Sequence, residues 1–147
     1  MIRVEIVNRS GSEVDEAAAA DLARSVLAAE GVDGGELGLA FVGPDESRAL
    51  KREHLGIDEA TDALAFPIDG LEAVPDGVPR QLGDVVVCPD VVGPEWRGPL
   101  VHALLHLVGY DHGPEMEERE AVYTRRRLDG GAQGAEAAAS PATERKP

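Results

Sequence analysis

The sequence predicts an α+β fold: a small mixed four-stranded sheet with helices packed on it. Two observations predict it. Four short segments carry the alternating or continuous apolar pattern of strands, and four longer ones carry the apolar spacing or terminal charges of helices.

IRVEIVN opens the chain with apolar residues at 2, 4 and 6, a half-buried strand. Ser12 or Asp15 can cap a helix over roughly 15–30, where Val14, Ala18, Leu22, Val26 and Leu27 follow helical spacing and Gly31 ends the run. ELGLAFV, 36–42, is a second strand. PDESRALKREHLG, 44–56, opens on Pro and acids and closes on Gly, the polarity of a short helix. TDALAFPID, 61–69, is a short strand stopped by Pro67, and the Gly- and Pro-rich residues 70–81 form a loop. LGDVVVC, 82–88, has a continuous apolar run, which predicts burial on both faces. A helix runs from about Glu95 to Val108. Another runs from Pro114 to Leu128, with Glu115, Glu117, Glu118 and Glu120 near its start and Arg125, Arg126 and Arg127 at its end, as the helix dipole favours.

The length of 147 residues suits one domain that buries a core without staples, placed here at 1–128. The small, polar, low-complexity residues 129–147 are expected to be a disordered tail. The single cysteine, Cys88, allows no internal disulfide, so a reducing cytoplasm is the expected compartment. The charged N-terminus predicts no signal peptide, and no apolar run approaches the roughly 20 residues that cross a bilayer. The net charge is −14; the tail holds three acids and two bases, so −13 belongs to the body. Taken alone, that charge argues against a nucleic-acid partner, because phosphate binding is driven by basic surface.

Three of the four histidines fall within LVHALLHLVGYDHGPE, at 102, 106 and 112. Four residues apart on a helix, His102 and His106 share one face, with β-carbons about 5–6 Å apart. Gly109 suits the end of that helix, and the turn through Tyr110 and Asp111 returns His112 toward the same point. Three neutral nitrogens leave a fourth tetrahedral position for water, the plan of a catalytic zinc site, and zinc lowers the pKa of such a water toward about 7. An i, i+4 histidine pair alone is more often incidental. A third histidine after a glycine turn, on an otherwise apolar helix, favours the metal reading. The metalloprotease motif HExxH places its general base directly after the first histidine; here that residue is Ala103, which argues against a peptidase.

LVHALLHLVGYDH closely resembles HGxLHLxGYDH, the signature of the YbeY family, also called endoribonuclease YbeY or rRNA maturation factor. TDALAFP at 61–67 resembles that family's TDVLSFP, and LGDVVVC at 82–88 resembles its LGDIVIC. The three blocks stand in the family's order, and the resemblance spans residues 1 to about 128. It implies a zincin-like fold, with one zinc ion held by His102, His106 and His112. It implies metal-dependent hydrolysis of single-stranded RNA in 16S rRNA 3′-end maturation and late ribosome quality control, in the cytoplasm and in company with small-subunit proteins. Asp111, beside a ligand, either orients a histidine or a water, or caps its own turn.

The sequence departs from the family pattern at named places. Ala103 replaces a glycine. In the segment LKREHLG, Lys51 and Leu55 stand where the family often has Asn and Arg, the Arg being a substrate contact. Lys51 and Arg52 are then the cations of this helix available to substrate, the alternative being a solvated face. Thirteen residues separate Cys88 from His102, a markedly shorter stretch than usual in the family. His54 stands where the family usually has an aromatic and is expected to pack. Cys88 is expected in the core, Thr61 and Asp62 in a turn, and Asp84 within a strand.

Three hypotheses compete: a zinc-dependent single-strand endoribonuclease, a ribosome-associated assembly factor that keeps the zinc site with little nuclease activity, and a metallohydrolase of small molecules or peptides. The acidity, Leu55 and the shortened segment favour the second over the first, and Ala103 counts against a peptide substrate.

Overall fold

A computed structural model describes residues 2–93 and 95–127, and the expected disordered tail lies outside them. Along the chain run β1 (Ile2–Asn8), α1 (Glu16–Ala29), β2 (Gly35–Phe41), α2 (Pro44–Leu55), β3 (Ala63–Pro67), β4 (Gln81–Val87), α3 (Pro89–Val92), α4 (Arg97–Leu107) and α5 (Pro114–Arg127). The strands form one sheet in the order β1-β2-β4-β3. β1 pairs parallel with β2 and β2 with β4, while β3 pairs antiparallel with β4 at the far edge. The expected mixed α+β sheet is the architecture found.

The side chains of the sheet divide two ways. Ile2, Leu37, Leu39, Phe41, Val85 and Val87 point into the main core, which α1, α4 and α5 cover. Val42, Leu64 and Val86 face the other side, where Leu50 of α2 packs with Phe66. β4 contributes to both layers, as its continuous apolar run requires.

Local signals explain the element ends. Of the two candidate caps, Asp15 starts α1, accepting the Ala18 N–H at 3.0 Å. Gly56 closes α2 with φ +75°. Among the described residues, the element the sequence did not reveal is α3, a single turn too short for a periodic pattern, started by Pro89 after Cys88.

α4 is the centre of the molecule. Gly98, Pro99, Leu100, Val101, Ala103, Leu104, Leu105 and Leu107 are all buried, and only Arg97, His102 and His106 are less so. An apolar helix buried almost all round thus turns its one titratable stripe outward. Its axis rests against β3 and β4, between α1 and α5.

Candidate metal centre

α4 ends in a Schellman motif. Tyr110 N–H donates to Leu105 O and Gly109 N–H to His106 O, both at 3.0 Å, and Gly109 takes φ +107°. The left-handed glycine reverses the chain, so residues 110–113 lie back across the end of the helix. His112 is thereby set against the two histidines of α4. Its Nε2 lies 3.2 Å from that of His102 and 3.0 Å from that of His106.

These distances test the metal reading. Tetrahedral zinc with nitrogens at about 2.0–2.1 Å sets adjacent ligand atoms about 3.3–3.4 Å apart. The two measured edges fall within a few tenths of an ångström of that, and the three ligand atoms lie within 4.8 Å of one another. Three imidazole nitrogens converging on one point repel unless a proton or a cation lies between them. The donor set therefore fits a metal ion bound by three histidines.

The other ring nitrogens of His102 and His106 are engaged as such a site needs. His102 Nδ1 lies 3.1 Å from Oε2 of Glu120, a carboxylate buried on α5. His106 Nδ1 lies 2.9 Å from the carbonyl oxygen of Tyr110, inside the turn that follows its own helix. With Nδ1–H donating to these acceptors, each Nε2 keeps its lone pair for an ion.

A cavity of about 660 Å³ opens beside His112, with Glu30, Tyr110, Asp111 and Glu115 in its wall. Another of about 400 Å³ lies on the His106 side, walled by Ile68, Asp69, Leu71 and Glu72 among others. Neither wall contains a Lys or an Arg. The acidity of the whole chain extends to the edge of the site.

The family model of endoribonuclease YbeY matches residues 5–128. The chain belongs to the endoribonuclease YbeY family. Endoribonuclease YbeY of Salinispora tropica is 37% identical over 145 residues, covering 85% of this chain and 92% of that protein. Endoribonuclease YbeY of Acidothermus cellulolyticus is 39% identical over 136 residues, covering 80% of this chain and 83% of its own. The solution structure of a protein from Thermotoga maritima aligns with 98% of this chain and 100% of its own, with a TM-score of 0.57 and 21% identity, a likeness of fold.

Other residues singled out by the YbeY-like motifs take definite places. Asp111 is exposed and lines the cavity beside His112. His102 and His106 are met by Glu120 and the Tyr110 carbonyl. Lys51 and Arg52 lie on α2, which packs on the opposite face of the sheet from α4. Lys51 is buried, so it is not on a solvated face, and its Nζ meets Glu59 Oε2 at 3.1 Å. Arg52 is exposed and meets Asp58 Oδ1 at 3.1 Å, an oxygen it shares with Arg48. His54 is half exposed, with its ring 4.8 Å from that of Phe66. Cys88 is buried, and burial pushes its thiol pKa up. Ser47 Oγ bonds both N and O of Thr61, and Asp62 caps the Ala63 N–H, which fixes the turn into β3. Asp84 is exposed on β4.

Glu120 was hidden among four acids that suit the start of α5. A periodic signal was present: Met116, Glu120 and Tyr123 share one helix face, and all three are buried. An acid on an apolar stripe needs a partner.

Proposed function

We propose that this chain is a zinc-dependent endoribonuclease for single-stranded RNA, acting in the cytoplasm on the 3′ end of precursor 16S rRNA and in late quality control of the 70S ribosome, beside small-subunit proteins. Family membership supplies the reaction class, hydrolysis of an RNA phosphodiester bond. The observation that carries the reading is the convergence of three Nε2 atoms at zinc-like spacing. A zinc ion held there supplies Lewis acidity toward the scissile phosphate.

The rest of the site acts through the chain's own groups. Glu120 and the Tyr110 carbonyl would hold His102 and His106 in the tautomer that directs the Nε2 lone pair at the ion. Asp111 would accept the proton of an attacking water, a role its exposure in the cavity beside His112 supports. Arg52 is the exposed candidate for a phosphate contact, once drawn from Asp58; Lys51, buried on Glu59, is the less accessible of the two. Neither cavity wall contributes a Lys or an Arg, so a bound metal would supply positive charge there.

The same acidic walls favour a second reading, a ribosome-associated factor that keeps its zinc and cuts little RNA. One experiment separates the two. A single-stranded precursor of the 16S 3′ end is offered to metal-quantified wild type, to His106→Ala and to a chelated sample. Cutting by wild type alone, at about one zinc per chain, supports the nuclease. Zinc present with no cutting above the variant supports the assembly factor.

A further inference from the structure

The metal site needs more than its ligands and their immediate acceptors. His112 sits on a loop and Glu120 on α5, and both must be held against α4. One buried group outside the histidine triad touches both elements. Glu30 caps the C-terminal end of α1, its side chain 7% exposed, and receives three side chains that lie 80 to 93 residues away. Tyr110 OH donates to its Oε1 at 2.8 Å. Arg119 donates to Oε2 through Nε at 3.0 Å and Nη2 at 2.8 Å, and Tyr123 OH donates to the same oxygen. Arg119 Nη2 also meets the Tyr123 hydroxyl at 3.0 Å, which closes the network.

The placement runs against local preference. A carboxylate at a helix C-terminus faces the negative end of the dipole, and the first turn of α5 adds Glu115 and Glu117 nearby in sequence to Arg119. Three long-range donors, Tyr110, Arg119 and Tyr123, face it in compensation. Tyr110 is the residue whose carbonyl receives His106 and which stands two before His112. Arg119 is the immediate neighbour of Glu120. The two arms of Glu30 therefore end on the loop that carries His112 and on the helix whose Glu120 meets His102.

We propose that Glu30 is a positioning residue of the metal centre: its buried carboxylate ties the His112 loop, through Tyr110, to the helix of Glu120, through Arg119 and Tyr123, and so sets the affinity of the three histidines for a divalent ion. This rests on the metal reading given above. Its carboxylate oxygens are engaged by Tyr110, Arg119 and Tyr123, so it acts by fixing where these partners stand.

The test uses the full chain and zinc itself. Zinc affinity is measured by competition with a chromophoric chelator for wild type, Glu30→Gln and Tyr110→Phe, with the visible spectrum of the cobalt-loaded proteins as a report on ligand geometry. Tyr110→Phe removes one hydroxyl and keeps the proposal testable if Glu30→Gln fails to fold. The expected result is about tenfold weaker zinc binding in each folded variant, the lower range for losing an outer partner of a metal site, with an altered cobalt spectrum. Wild-type affinity and spectrum in Tyr110→Phe, with only the melting temperature lowered, would make Glu30 a purely structural group and overturn the proposal. Wild type that binds no zinc would overturn the metal reading, and this proposal with it.

Discussion

His102 Nδ1 and Glu120 Oε2 face each other at 3.1 Å across the seam between α4 and α5, both side chains largely buried. A carboxylate there fixes the tautomer and the ring plane of the imidazole. Replacing Glu120 by Ala is expected to weaken zinc binding by about 10- to 100-fold. Glu120→Gln keeps an acceptor oxygen and is expected to lose less. Zinc titration of the two variants against wild type checks the order.

Metal and fold should be coupled, because the ligands come from α4 and from a loop that only the folded chain brings back to it. Zinc at 100 times its Kd is expected to stabilise the native state by about 2.7 kcal/mol. For a domain of this size that raises the melting temperature by on the order of 10 °C. His102→Ala should abolish the shift. Thermal melts with and without zinc, and after chelation, measure it.

The Glu30 carboxyl gives a pH dependence with a definite sign. Burial pushes its pKa up, but hydrogen bonds from Tyr123, Tyr110 and Arg119, with the Arg119 charge, outweigh that and hold it below the ordinary 4.5. A depressed folded pKa means the unfolded chain takes up the proton first as the pH falls. The stability Glu30 contributes is therefore fully present above its unfolded pKa, and it is lost as the pH falls through 4.5 and below. Urea unfolding of wild type and Glu30→Gln should show a gap at pH 7 that closes toward pH 3, and a gap independent of pH would refute the assignment.

Asp58 restrains two guanidiniums on the surface, Arg48 at 2.6 Å and Arg52 at 3.1 Å. Exposed pairs of this kind contribute little to stability, so Asp58→Asn should leave it nearly unchanged. It frees Arg52 for phosphate. Binding of a single-stranded RNA at low salt is expected to tighten in Asp58→Asn and weaken in Arg52→Ala, with a steeper salt dependence in the first. Equal affinities in all three proteins would remove Arg52 from the substrate path.

The histidine cluster was legible because its chemistry is carried by local spacing: i, i+4 on a helix, then a glycine turn. The strands were legible because apolar alternation and long apolar runs report burial directly, and β4 packs on both faces as its run of Val requires. What could not be read are contacts made by distance in space. Glu30 meets Tyr123 across 93 residues, and no pattern within α1 marks an acid at its end as a hub. Lys51 and Arg52 were read as free cations because the loop that neutralises them, Asp58 and Glu59, lies past the helix end. α3 is one turn long and has no period to detect.

The LGD segment has a packing cause that ties the sheet to the site. Gly83 lies in β4 with φ +140°, and a Cβ there would run into the carbonyl oxygen of Phe66 and come within 2.9 Å of Leu107 Cδ1 and Pro67 Cα. Leu107 directly follows His106 on α4, so the bare glycine is what lets the histidine helix settle against β4 and the edge strand. Gly83→Ala adds a methyl where two backbones and α4 meet, in a conformation that side chains rarely adopt. The expected cost is about 2–4 kcal/mol, read as a lower urea midpoint at unchanged slope. Gly34→Ala, where a Cβ would meet nothing within 4 Å, should be close to neutral. If Gly83→Ala folds with wild-type stability, α4 is not held by this close approach. If it folds weakly but binds zinc normally once folded, the glycine serves the fold without shaping the triad. The placement of Leu107 beside His106 favours a loss of both.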